Sequence, residues 1–232
     1  MASVITDTKA KLIDDTLVPI VTEMMRIFPD GLVITSGLYA LFTLSFPFGI
    51  FFGSMVEATA IFHGIRYATS YLGVSPISAS SKAYTHICRT GFTQPTTSLL
   101  SMSIFGSESE AIQNPFPSPQ IYILAAASAY IFTSINKQSK ELSALGPSYS
   151  SRYYISLIFL TVLLFLFVCF RIAYRCESFA ITMMSVPIGL FVGMLLVQQN
   201  ANLFGAESTN LLGIPLLQSR TASGRQIYVC PK

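Results

Sequence analysis

Long stretches of this chain carry no charged side chain, and that alone removes most soluble folds. Gly31 to Val56 is a run of 26 uncharged residues. As a helix rising about 1.5 Å per residue it would cross a hydrocarbon core roughly 30 Å thick with some tilt. Tyr153 to Phe170 is almost wholly Leu, Ile, Val and Phe, and after a short turn with Arg171, Arg175 and Glu177 the chain is uncharged again from Ser178 to Ala206. These two runs predict a transmembrane hairpin over 153–206. A fourth apolar stretch, Ile121 to Ile135, reaches only about 22 Å as a helix. It reads as a short span over 120–136, or as a re-entrant or buried helix.

Composition agrees with this pattern. Apolar residues make up 52% of the chain and charged residues 11%, against roughly 25% charged in soluble domains, and the mean hydropathy is +0.58. The fold class that follows is an all-α integral membrane protein with three to four transmembrane helices. A net charge of +3 supplies no polybasic field for nucleic acid.

Ahead of the first span, residues 1–30 hold all four aspartates and no continuous apolar signal core. Ile13, Leu17, Ile20, Val21, Met24, Ile27 and Phe28 recur at three- and four-residue steps with most charges between them, predicting an N-terminal amphipathic helix on the membrane surface or against another protein. Pro19 is expected to kink it. The span 31–56 is expected to continue as helix to about Tyr71. Residues 72–119 form a Ser/Thr/Pro-rich loop whose last residues, Asn114-Pro115-Phe116-Pro117-Ser118-Pro119, are expected to enter the next span extended. Residues 137–152 form a second loop and 207–232 a basic tail. With four spans, the termini and the 137–152 loop share nine basic residues against five on the opposite side (Arg66, Lys82, Arg89, Arg171, Arg175). That margin points both ends at the cytoplasm.

One frame, S-x-P-x-G-x-F-x-G, occurs twice at an offset of 140 residues, as Ser45-Phe46-Pro47-Phe48-Gly49-Ile50-Phe51-Phe52-Gly53 and Ser185-Val186-Pro187-Ile188-Gly189-Leu190-Phe191-Val192-Gly193. Ser45, Gly49 and Gly53 line one helix face, as do Ser185, Gly189 and Gly193, so both faces are expected to admit a neighbouring helix closely. Pro47 and Pro187 are expected to kink their helices and free a carbonyl. Descent from a duplication and convergence on a packing face both explain the frame. A duplication would give the inverted-repeat geometry of transporters.

Chemistry-bearing residues are sparse. Glu57, His63 and Arg66 follow the first span, but Glu57 and His63 point apart on a helix, and Glu57 reads as a headgroup-level residue paired with a neighbour or with Arg66. His86 and Cys88 lack a nearby carboxylate, which argues against nucleophilic catalysis. Cys88, Cys169, Cys176 and Cys230 have neither CxxC nor metal-ligand spacing. Cys169 and Cys176 read as small apolar residues, and neither a cofactor nor a metal is implied. In the tail, Arg220, Arg225, Tyr228 and Lys232 surround a strand-forming Gln-Ile-Tyr-Val-Cys segment, suited to a partner's sheet edge or to anionic headgroups.

Together with Phe46 to Ala58, this ending resembles the small multi-span virion membrane proteins of large icosahedral DNA viruses of the chlorella-virus kind. The resemblance implies a non-enzymatic protein in the membrane beneath a capsid, tying that membrane to overlying capsid proteins. It also implies assembly in the cytosol, which fits unpaired cysteines and the lack of N-x-Ser/Thr acceptors. The chain departs from that role in having no sizeable soluble domain. The expected partners are the bilayer and other membrane or capsid proteins, in an obligate oligomer or complex. The alternatives are an accessory subunit of an organellar membrane complex, or a small channel or transporter built on the repeat.

Overall fold

The structure, a computed structural model, describes residues 18–72, 88, 103–105, 116–139, 142 and 147–212. The architecture is five helices with no strand among the described residues: α1 (Val18–Thr43), α2 (Phe46–Tyr71), α3 (Pro119–Lys137), α4 (Pro147–Ala173) and α5 (Phe179–Phe204). A short 3-10 turn (Ala206–Thr209) follows. Among the described residues, three helices are long and apolar enough to cross a membrane: α2, the stretch Tyr153–Ala173 of α4, and α5.

The first departure from expectation is at Leu44. Gly31 to Val56 is not one span, because the chain reverses between α1 and α2. Leu44 has a φ of 50°, and Ser45 is extended at the N-cap of α2. Pro47 follows in the first turn, where its missing N–H costs no intrahelical bond. Pro47 therefore opens a helix rather than kinking one. The two arms close on each other, with the Phe52 ring filling the space beside Gly37, where a Cβ would lie 2.9 Å from it. Tyr39 meets Phe48 edge-on at 4.5 Å between ring centroids.

α1 differs from the expected surface helix in the direction of its faces. Thr22, Arg26, Asp30, Val33 and Ser36 are buried against the bundle. Ile20 and Met24 are 55% and 67% exposed. A helix lying on a membrane turns its charges to water. This one turns Thr22, Arg26, Asp30 and Ser36 towards protein together with Met25, Phe28 and Val33, and leaves Ile20 and Met24 outwards. It also continues past residue 30 into the region assigned to the first span, running through Pro29, while Pro19 sits in its first turn. Residues 1–17 lie outside the described residues.

The short apolar stretch becomes α3, the centre of the bundle. Every residue from Pro119 to Tyr130 is buried, with α5 along one side and α1, α2 and α4 around the rest. Its alanines explain its low hydropathy: a helix enclosed by helices needs small side chains more than greasy ones. Within the bundle this stretch is a helix enclosed by the other four. Ser118, extended at the N-cap, provides the entry after the prolines.

α4 and α5 form the expected hairpin through a turn in which Arg175 has a φ of 52° and the Cys176 N–H donates to the Arg171 carbonyl. Successive helices alternate in direction, so α3 and α5 run parallel. With five helices alternating in direction, Val18 and Phe204 stand at opposite ends of the bundle. α4 turns Tyr154, Ile155, Ile158, Phe159, Val162, Phe165 and Leu166 outwards, a patch far larger than water-soluble monomers expose.

Candidate functional site

The second copy of the repeated frame makes the tightest contact in the bundle. Ser185, Gly189 and Gly193 on α5 face Ser118, Tyr122 and Ala126 on α3, four residues at a step on both helices. A methyl group placed at Gly189 would fall 2.8 Å from Ala125 Cβ and closer still to the Tyr122 carbonyl. At Gly193 it would fall 2.9 Å from Ala129 Cβ and closer to the Ala126 carbonyl. Ser185 Oγ donates to Ile181 O at 2.7 Å and accepts the Ser118 N–H at 2.8 Å. Thus it satisfies one of the amides that α3 leaves open at its start. α5 runs unbroken through Pro187, whose missing N–H leaves Met183 O without its usual helical donor.

The first copy is arranged differently. Ser45 is an N-cap residue without a side-chain capping bond, and a Cβ at Gly49 or Gly53 would meet nothing within 4 Å. The expectation that both small-residue faces pack against a helix holds within this chain only for the second copy.

Above the seam lies a buried polar knot joining three helices. Asn200 Nδ2 donates to Ser54 Oγ at 2.6 Å and to Tyr130 Oη at 3.1 Å. Ser208 Oγ donates to the Asn200 carbonyl at 3.1 Å, and Tyr122 Oη donates to Ala58 O at 2.9 Å, tying α3 to α2. Beside the knot, Gln199 Nε2 donates to both carboxylate oxygens of Glu57, at 2.9 and 3.1 Å. The break at Leu44 moves the span towards the C-terminus, so Glu57 stands near the middle of α2 and about 16 Å from its start. Its hydrogen-bond partner is Gln199, a neighbour on α5.

At the opposite end, a polar clasp closes the α4–α5 turn. Arg171 and Glu177 form an ion pair in which both side chains are 4% exposed. Ser118 Oγ donates to Glu177 Oε1 at 2.9 Å, and Arg171 Nη1 donates to Cys88 O at 3.2 Å. Cys88 and Cys176 are joined by a disulfide across 88 residues of sequence. This corrects the reading of the cysteines as unpaired: Cys176 is a cross-link, Cys88 is withdrawn from any nucleophilic role, and Cys169 is an exposed free thiol. A disulfide also sits poorly with assembly in a reducing cytosol.

A third polar group fastens residues 103–105 to α1 and α2. Asp30 accepts the Ile104 N–H at 2.7 Å and the Ser103 hydroxyl at 3.3 Å. His63 Nε2 lies 2.8 Å from Ile104 O, and Arg66 Nη1 donates to Phe105 O at 3.0 Å. His63 and Arg66 thus hold a backbone segment. Among the described residues no cluster of three His, Cys, Asp or Glu side chains could hold a metal ion. His86 and the tail residues Arg220, Arg225, Tyr228 and Lys232 lie outside the described residues.

Sequence reasoning found the frame but missed the disulfide, Asp30, Tyr130 and Asn200. A signal existed for Asn200, since Gln198, Gln199, Asn200 and Asn202 interrupt an otherwise apolar span. No family model matches the chain, and neither a curated protein nor a solved structure does.

Proposed function

We propose that this chain is a non-enzymatic structural subunit that anchors a larger assembly to a bilayer. The supporting observation is how its buried polar groups are used. Arg171, Glu177, Asp30, Tyr130 and Asn200 all bind other segments of the same chain, fastening helix to helix or loop to helix. Meanwhile α4 and much of α1 and α5 present apolar side chains outwards. The resemblance of residues 46–58 and of the tail to virion membrane proteins supports a capsid-underlying membrane as the setting. An organellar membrane complex is the next choice.

A channel reading draws on one observation, the Glu57–Gln199 pair at mid-depth of α2. The scaffold reading is favoured over it because Gly189 and Gly193 are closed by the backbone of α3, leaving that repeat face occupied by a helix.

Two measurements on full-length protein test the proposal. Gentle detergent extraction from its native membrane is expected to recover it with membrane or capsid proteins in fixed stoichiometry, and recovery with lipid alone overturns the anchoring role. Ion or solute flux in liposomes containing only the purified chain would replace that role with transport.

A further inference from the structure

The outward face of α2 combines two features that a lipid environment leaves unsatisfied. The first is an ionisable pair. Glu57 lies near mid-depth of a membrane-length helix, half-buried, and its carboxylate accepts from Gln199, which is itself exposed. A carboxylate at that depth is costly beside lipid and normally faces protein or water. The second is shape. Gly49, Gly53, Ala60 and Gly64 are exposed on this side of α2, and a Cβ at any of the three glycines would meet nothing within 4 Å.

The pair has a further property: it is self-complementary. The Gln199 amide has two N–H donors, one of which is used on its own Glu57, and the carboxylate oxygens have lone pairs to spare. A twofold axis along the membrane normal would set Glu57 of one copy against Gln199 of the other, and the reverse, so each spare donor finds a spare acceptor. A Gly-x-x-x-Gly spacing at Gly49 and Gly53 allows two parallel helices to approach at that axis. The same chain already closes an identically spaced face, Gly189 and Gly193, with a parallel helix.

We propose that the outward face of α2 pairs with the same face of a second copy, with the helices crossing at Gly49 and Gly53 and the Glu57–Gln199 pairs exchanging hydrogen bonds. This goes beyond the anchoring role: it names a contact and its occupant, and it is independent of what the assembly is attached to.

The test uses full-length protein in mild detergent and in phosphatidylcholine bilayers, with Cys169 and Cys230 replaced by Ser and the disulfide retained. Light scattering is expected to give a dimer. Gly53→Cys is expected to cross-link in the dimer, and Phe159→Cys on α4 is not. Gly49→Leu combined with Gly53→Leu is expected to weaken dimerisation by about tenfold or more. Because no described residue lies within 4 Å of a Cβ at those positions, helicity and thermal unfolding of this variant should match the parent. Glu57→Ala is expected to weaken the dimer, whereas Glu57→Gln, which keeps an acceptor oxygen and adds an amide donor, retains it. A monomer at every protein-to-lipid ratio overturns the proposal. So does a dimer that cross-links through another face and ignores the leucine pair. Either outcome leaves the anchoring role to be judged by co-extraction.

Discussion

Residues 45–53 and 185–193 share a frame of serine, proline, two glycines and phenylalanine, yet the bundle uses them in opposite ways. The second copy lies within α5 and is closed by α3 to the point where no methyl group fits. The first begins a helix and leaves its glycines open. The difference comes from what stands opposite. α3 offers Ala125 and Ala129 at the same four-residue spacing, so two backbones approach closely, whereas α2 turns its core-facing side chains Phe51, Met55, Ala58 and Phe62 to the bundle and its glycines away. A small-residue face is therefore a capacity to pack. The partner helix decides whether it is used.

If that is right, the two copies respond unequally to the same change, most of all at the carboxylate beside each. Glu177→Ala strands Arg171 in a buried site and is expected to destabilise the fold by about 3–5 kcal/mol. Glu57→Ala, measured under dilute monomeric conditions, is expected to cost less than about 1 kcal/mol. Unfolding of the purified chain in mixed micelles, followed by helicity, gives both values. Equal losses would break the comparison.

Next comes the packing itself. Gly193→Val drives two methyl groups into the Ala126 carbonyl and Ala129, and the expected loss is about 3 kcal/mol, the upper part of the range for an overpacked site. Gly53→Val should leave monomer stability within about 0.5 kcal/mol, since it meets open space. The serines follow. Ser185→Ala removes the acceptor of the buried Ser118 N–H and is expected to cost about 1–2 kcal/mol. Ser45→Ala loses no capping bond and should fall below about 0.5 kcal/mol by the same measurement.

How much of this could be read from the sequence depends on which physical quantity each element expresses. α4 and α5 are bounded by charge and filled with large apolar residues, so their existence and their hairpin were plain. α3 gives a weak signal because hydropathy measures affinity for lipid, and a helix surrounded by protein is chosen for small size instead. For α1, periodicity reveals that two faces exist without saying which one the rest of the chain covers. The reversal at Leu44 carries no charge, so a charge-free run conceals it and puts Glu57 just after a helix's apolar run instead of near the middle of α2. In the candidate site, the frame was visible and its partner was not, since the matching alanines lie some 60 residues away. The Cys88–Cys176 bond joins residues whose spacing carries no motif.

The smallest effect tests the reversal itself. Pro47 and Pro187 occupy equivalent places in the frame, but Pro47 stands in a first turn, where no carbonyl of the same helix awaits its N–H. Its ring serves mainly to restrict the unfolded chain, and Pro47→Ala is expected to cost only about 0.5 kcal/mol. Pro187 leaves Met183 O without a donor within a continuous helix, so Pro187→Ala supplies an N–H where one is missing. The sign should therefore differ between the two: a small loss at 47 and a gain, or no loss, at 187, read from the same unfolding curves. If Pro47→Ala instead cost as much as Gly193→Val, the proline would be holding a continuous helix in a bent state. The separation of α1 from α2 at Leu44 would then have to be abandoned.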